Sequence, residues 1–250
     1  MRVRVEVCIT SVDEAMAAMN AGADSVEVCT WLAAGGLTPG PGLVSLVRER
    51  SKGTGTWSRV LVRPSPGGFR YTTDERQIIL RDALLLAVAD DTAGIVAGAL
   101  RADGQADAEL MDLVRATLNG RELTFHRAID HAADMPAALE QCIGFGAARV
   151  LTSGGATRAL DGAAMLKRLV EGAGERITIA AGAGINPGNV VELVERTGVR
   201  EVHFSAQRPA LLEHAGVAMS AEHAGVNFAV EPDTAKIEGV MNALVKAGLR

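Results

Sequence analysis

Val5-Glu6-Val7-Cys8 recurs as Val26-Glu27-Val28-Cys29, and each copy alternates in the way a strand does. In an extended chain alternate side chains share a face. Glu6 with Cys8, and Glu27 with Cys29, therefore stand opposite the valines. One helix-length segment separates the copies, which predicts parallel neighbours joined by a crossover, with both carboxylates and both thiols on one side of the sheet. Four reactive groups in an apolar sheet call for ion pairing, chemistry or a metal.

Outward from this pair the same cadence continues. Strand-like runs are read at Arg2 to Ile9, Ser25 to Thr30, Arg59 to Arg63, Ala93 to Ala97, Glu122 to Arg127, Arg149 to Ser153, Ile177 to Ala181 and Glu201 to Ser205. Helix starts lie between them: Ser11 with Glu14 and Thr72 with Glu75 fit capping boxes, Asp134 precedes Pro136, and Asn186 precedes Pro187. Helix stops fall at Gly22, Gly146 and Gly198, where a left-handed residue ends the helix cheaply. Alternating strands and helices in this number predict a (β/α)8 barrel of the TIM type, one domain spanning residues 1–250. Aromatic residues make up only 3% of the chain, so its core is packed from Val, Leu, Ile and Ala. One stretch, from Arg208 to Pro232, breaks the rhythm; it reads as a lid or extension, or else as an ordered tail or oligomer contact.

A formal charge of -5 and a pI near 5.6, with no cluster of Lys or Arg, argue against a nucleic-acid partner. No uncharged apolar run reaches the roughly 18 residues of a membrane span, and Met1-Arg2-Val3-Arg4-Val5 runs straight into a strand with no secretory leader. The expectation is a soluble cytoplasmic protein. Cys8, Cys29 and Cys142 form no CxxC pair and no disulfide framework, so reduced thiols are expected.

Strand alternation assigns Arg4, Glu6 and Cys8, then Ser25, Glu27 and Cys29, to the barrel interior. It adds Arg63, Thr124 and His126, Thr152, and His203 and Ser205 from later strands. Those near the carboxyl ends of strands stand where barrel active sites lie. If Glu6 and Glu27 both lose water, one holds its proton more tightly, as a general acid or base requires; Arg4 or Arg63 could instead neutralise them. His126 is the further catalytic or ligand candidate, since imidazole moves protons near neutral pH. Arg127 either clamps an anion or pairs with Asp130. Gly182 and Gly184, ahead of the Asn186-Pro187 helix start, offer backbone N–H groups to a phosphate or other anion. Arg63, Thr152, Ser153, His203 and Ser205 reach the same rim; each hydroxyl there either orients a polar ligand or satisfies a strand end. Cys8 and Cys29 could meet across neighbouring strands as a two-thiolate site, the donor set that Cu(I) favours.

These motifs together resemble the CutC family, the copper homeostasis protein family. The resemblance rests on both Val-Glu-Val-Cys runs, Gly35-Gly36-Leu37-Thr38-Pro39, Val62-Arg63-Pro64, Gly98-Ala99-Leu100, Thr124-Phe125-His126-Arg127-Ala128, Arg149-Val150-Leu151-Thr152-Ser153-Gly154, Ala181-Gly182-Ala183-Gly184 and Glu201-Val202-His203. It implies a cytoplasmic TIM-type barrel, a homo-oligomer (dimer or tetramer), associated with copper handling and without an assigned reaction. The chain departs from the family where relatives read Arg-Pro-Arg-Gly-Gly-Asp-Phe. Here Arg63-Pro64-Ser65-Pro66-Gly67-Gly68-Phe69 lacks the second arginine and the aspartate. Two functions follow: a copper homeostasis protein binding Cu(I) through Cys8 and Cys29, or a metal-independent enzyme on a small anionic or phosphorylated metabolite. A scaffold without chemistry is a third reading, and it predicts a blocked mouth.

Overall fold

The computed structural model describes residues 2–211 and 228–250. Eight parallel strands close on themselves: β1 (Arg4–Ile9), β2 (Ser25–Val28), β3 (Trp57–Leu61), β4 (Gly94–Ala97), β5 (Leu123–Phe125), β6 (Arg149–Thr152), β7 (Thr178–Gly182) and β8 (Glu201–Ser205), with β8 pairing back onto β1. Seven helices follow the strands: α1 (Val12–Asn20), α2 (Pro41–Ser51), α3 (Thr73–Ala89), α4 (Ala108–Thr117), α5 (Met135–Gly144), α6 (Ala163–Ala173) and α7 (Val190–Thr197). The closing helix α8 (Thr234–Lys246) completes the outer ring. The (β/α)8 expectation therefore holds. β1 and β2 are parallel neighbours in which Cys8 is level with Glu27, so the repeated tetrapeptides do share one face.

The capping signals act as the side-chain chemistry predicts. Ser11 accepts from the Glu14 N–H, Thr72 and Glu75 form a complete capping box, and Asp134 accepts from the Ala137 N–H. The Asn186-Pro187 start is different: Asn186 Oδ1 accepts from the Gly188 N–H in a local turn, and α7 begins only at Val190. That short turn competes with the helix for the same backbone groups. The positive helix end is thus set back from the glycine loop that was expected to use it.

Two apolar layers result from the strand alternation. Outward-facing Val5, Val7, Ile9, Val26, Val60, Ile95, Phe125 and Val150 pack against the helices in one continuous core. Inside the barrel, Cys8, Cys29, Leu61 and Val96 form a small separate cluster. Of the long segment after β8, its ends form a two-stranded antiparallel pair, β9 (Gln207–Pro209) with β10 (Val230–Pro232), while residues 212–227 lie outside the described residues.

Candidate functional site

The interior divides into an ionic floor and an open mouth. On the floor, Glu6 is fully buried and accepts from both Arg59 and Arg149, from Ser25 Oγ at 3.0 Å, and faces His203 Nδ1 at 2.9 Å. Glu201 pairs with Arg149 at 2.7 Å, Arg4 at 2.9 Å and Arg59 at 3.2 Å, and Arg59 reaches Glu122 at 2.8 Å. The Trp57 ring lies over the Arg59 guanidinium at 4.3 Å and helps close the bottom of the barrel. Burial alone would raise the Glu6 pKa, but Arg149 and Arg59 hold it well below the usual carboxylate range. Glu6 is therefore an ionised structural anchor beneath the mouth, and it has no proton to move at neutral pH. The neutralising arginines are Arg59 and Arg149, where Arg4 or Arg63 had been expected.

Above this floor lies a cavity of about 360 Å³, whose lining includes Cys8, Glu27, Arg63, Phe69, His126, Leu151, His203 and Lys236. Ligand atoms of Cys8, Glu27 and His203 all fall within 4.8 Å of one another. Burial pushes Glu27 up, partly offset by His203, and its Oε2 has no hydrogen-bond partner among the described residues. Burial works against charge on His203, yet Glu27, Cys8 and Glu6 together push it up to about 10. This ring is an imidazolium fixed from below by Glu6. Cys8 Sγ lies 3.5 Å from Cys29 Sγ, and Cys29 also donates to the Ile9 carbonyl at 3.4 Å. The contact with Cys29 and then burial push the Cys8 thiol well up, so it is protonated at neutral pH.

His126 stands elsewhere on the wall, just past the end of β5, where the chain turns into a short 3₁₀ segment, Arg127–His131. Its Nδ1 accepts from the Ala128 N–H at 3.2 Å, which leaves the proton of the neutral ring on Nε2. That Nε2 has no partner among the described residues. Burial, and then the Arg63 charge, push His126 down to about 3, so the ring stays neutral. Phe69 packs at 5.0 Å from it. Gly98 makes the room: a Cβ there would collide with the imidazole.

The other expected site residues are held differently. Arg63 donates to the carbonyls of Ala34, Gly36 and Gly67 at 2.8–3.0 Å, so its guanidinium ties two rim loops together while lending charge to the mouth. Arg127 takes the Asp130 option at 2.8 Å and also reaches Ser153 Oγ at 3.0 Å. Thr152 and Ser153 both bind Asp130 and do not line the cavity; Leu151 does. Because Arg149 and Leu151 point inward, Thr152 must face the helices, which corrects its interior assignment. Gly182 also stays off the cavity wall. A Cβ there would meet Leu151 Cδ1 at 2.9 Å, so its smallness serves packing. Gly184 lines the mouth, as does Ser205.

Lys236, at the start of α8, escaped the sequence reading. It lines the cavity, donates to the Ser205 carbonyl at 2.6 Å and lies 5.7 Å over the Phe204 ring. His131, 5.2 Å from Phe69, also lines the mouth unannounced. No alternation pattern marks either residue, since both sit on helical turns. Among the described residues, no helix is long and apolar enough to cross a membrane.

Fold and site together define, among the described residues, a (β/α)8 barrel with a cavity of mixed polar and apolar lining at the carboxyl ends of its strands. The chain belongs to the CutC family, whose sequence model matches residues 3–208. A CutC family protein of Glaesserella parasuis is 37% identical over 240 residues, covering 95% of this chain and 97% of that protein. One from Caulobacter vibrioides is 43% identical over 209 residues, covering 83% of each. The crystal structure of CutC from Streptococcus agalactiae, provisionally described as a copper homeostasis protein, superposes with a TM-score of 0.76 at 28% identity, covering 81% of this chain and 98% of that one. Phosphoribosylanthranilate isomerase of Thermotoga maritima, at 13% identity and a TM-score of 0.56, shares the barrel.

Proposed function

We propose that this protein serves copper homeostasis by holding Cu(I) as cargo between Cys8 and Cys29 in the barrel mouth. The observation that carries the reading is the pair of thiols 3.5 Å apart on adjacent strands, one of them lining the cavity. The donor set fits: soft sulfur ligands select Cu(I), whereas the neighbouring Glu27 carboxylate and the His203 imidazolium are poor partners for it. Both thiols must lose protons to bind, so copper affinity rises with pH, and protons are released on loading.

Titrating the fully reduced chain with Cu(I) against a competing chelator tests this. One tight equivalent is expected. Because loss of an outer-sphere partner alone weakens metal sites about 10–100-fold, removing both ligands in a Cys8→Ser, Cys29→Ser variant should cost more than about a hundredfold. Unchanged affinity in that variant would remove the site.

The proposal extends to a cytoplasmic homo-oligomer. Three reduced cysteines suit a reducing compartment, and Leu84, Leu85 and Val88 are exposed together on α3. Light scattering on the purified chain reads the assembly directly: a dimer or tetramer is expected, and a monomer at working concentration would end that part of the proposal.

A further inference from the structure

Among the described residues, three polar atoms on cavity-lining residues lack a partner, Arg63 Nε, His126 Nε2 and Glu27 Oε2, and the thiol site uses none of them. His126, 4% exposed, presents a neutral Nε2–H donor, and Glu27, also 4% exposed, presents Oε2 as an acceptor. A buried donor or acceptor left without a partner costs about 1–3 kcal/mol, and native structures rarely carry that cost without a ligand or water to relieve it. Both residues line the same cavity of about 360 Å³, a size that suits a small metabolite. The cavity is also electropositive at its rim, where Arg63, Arg127 and Lys236 line it. Leu32, Leu61, Phe69, Leu151 and Ile185 give it an apolar wall as well.

A ligand that satisfies all of these at once needs a negative charge for the cations and an oxygen for His126 Nε2–H. It also needs a hydroxyl to donate to Glu27 and an apolar group for the wall. We propose that the barrel mouth binds an α-hydroxycarboxylate with an apolar side chain, oriented by His126 Nε2–H and Glu27 Oε2. The contacts come from β2 and from the end of β5, and neither thiol takes part. The inference stands apart from the copper reading, and either can fail alone.

Mandelate is the probe, with two near-isosteric controls: phenylacetate lacks the hydroxyl and phenylethanediol lacks the charge. Calorimetry on the reduced, copper-free full chain should show mandelate binding at least about tenfold tighter than either control, as expected for one good hydrogen bond to a buried or charged group. His126→Asn keeps an acceptor for the Ala128 N–H, so the turn stays capped. It has no donor long enough to replace Nε2–H, and mandelate affinity should fall by at least about tenfold. Wild-type ¹⁵N spectra should also show the His126 Nε2 resonance moving on mandelate addition, a readout that does not depend on the variant folding. Equal binding of the three compounds, no binding of mandelate, a silent Nε2 resonance or an unaffected His126→Asn protein would each overturn the proposal.

Discussion

Glu6→Gln is expected to lower folding stability by about 3–5 kcal/mol, because it leaves buried cations without their shared counter-charge. The substitution preserves shape. It removes the anion that meets Arg59, Arg149 and His203 in a region where Glu6 is fully buried and both arginines are 1% exposed. Glu201 remains to serve the arginines in part, so the loss falls mainly on His203 and on one guanidinium. Urea denaturation measures it, with an unchanged m-value showing that the two-state comparison holds. A loss under about 1 kcal/mol would mean that desolvation of the network already cancels its attraction. Glu6→Leu paired with Arg149→Met should lose less than the sum of the two single changes, since apolar replacement of a whole buried pair is often neutral.

Stability should also fall on both sides of neutrality, and the two limbs belong to different histidines. An ordinary histidine titrates near pH 6.5 once the chain unfolds. His126 is depressed to about 3, so as pH drops from about 6.5 toward 3 the unfolded chain takes up a proton that the folded chain refuses. Stability is then lost at about 1.4 kcal/mol per pH unit, roughly 2 kcal/mol between pH 6.5 and 5, before most carboxylates titrate. His203 is raised to about 10, so its contribution is complete below pH 6.5 and is lost as pH rises toward 10, at a similar slope. Denaturation series at several pH values check both limbs. His126→Asn should flatten the acid limb alone, and Glu6→Gln should soften the alkaline limb by removing the anion beneath His203. A flat profile from pH 5 to 9 would contradict both assignments.

The barrel was legible because each strand and cap announces itself locally: alternating valines make strands, and Ser11, Thr72 and Asp134 start helices by pairing with backbone N–H groups. The faces of β1 and β2 followed from the same alternation, which put Cys8, Glu27 and His203 inside the barrel but did not foretell that their ligand atoms come within 4.8 Å of one another. Partnership across the barrel was not legible. Arg59 and Arg149 reach Glu6 from β3 and β6, far apart in sequence, and only closure and strand stagger bring them together. Thr152 was misread for a local reason: the alternation was counted in the wrong phase on this strand, and β6 keeps the other one, with Arg149 in the network and Leu151 on the cavity wall. Arg63 lies beyond the end of β3, and its guanidinium is taken up by loop carbonyls that no spacing rule foretells. Lys236 enters the mouth from the last helix, across the long connection after β8.

Arg59 and Arg149 are spent on Glu6 and Glu201; Glu27, Cys8 and Glu6 together favour the charged form of His203, and the two thiols lie 3.5 Å apart. On the proposed function, Cu(I) displaces the protons of Cys8 and Cys29 while the ion pairs of the floor stay in place. The most direct test is X-ray absorption at the copper edge on reduced protein carrying one equivalent of Cu(I). The account predicts a first shell of two sulfur ligands; a shell of nitrogen and oxygen alone would contradict it.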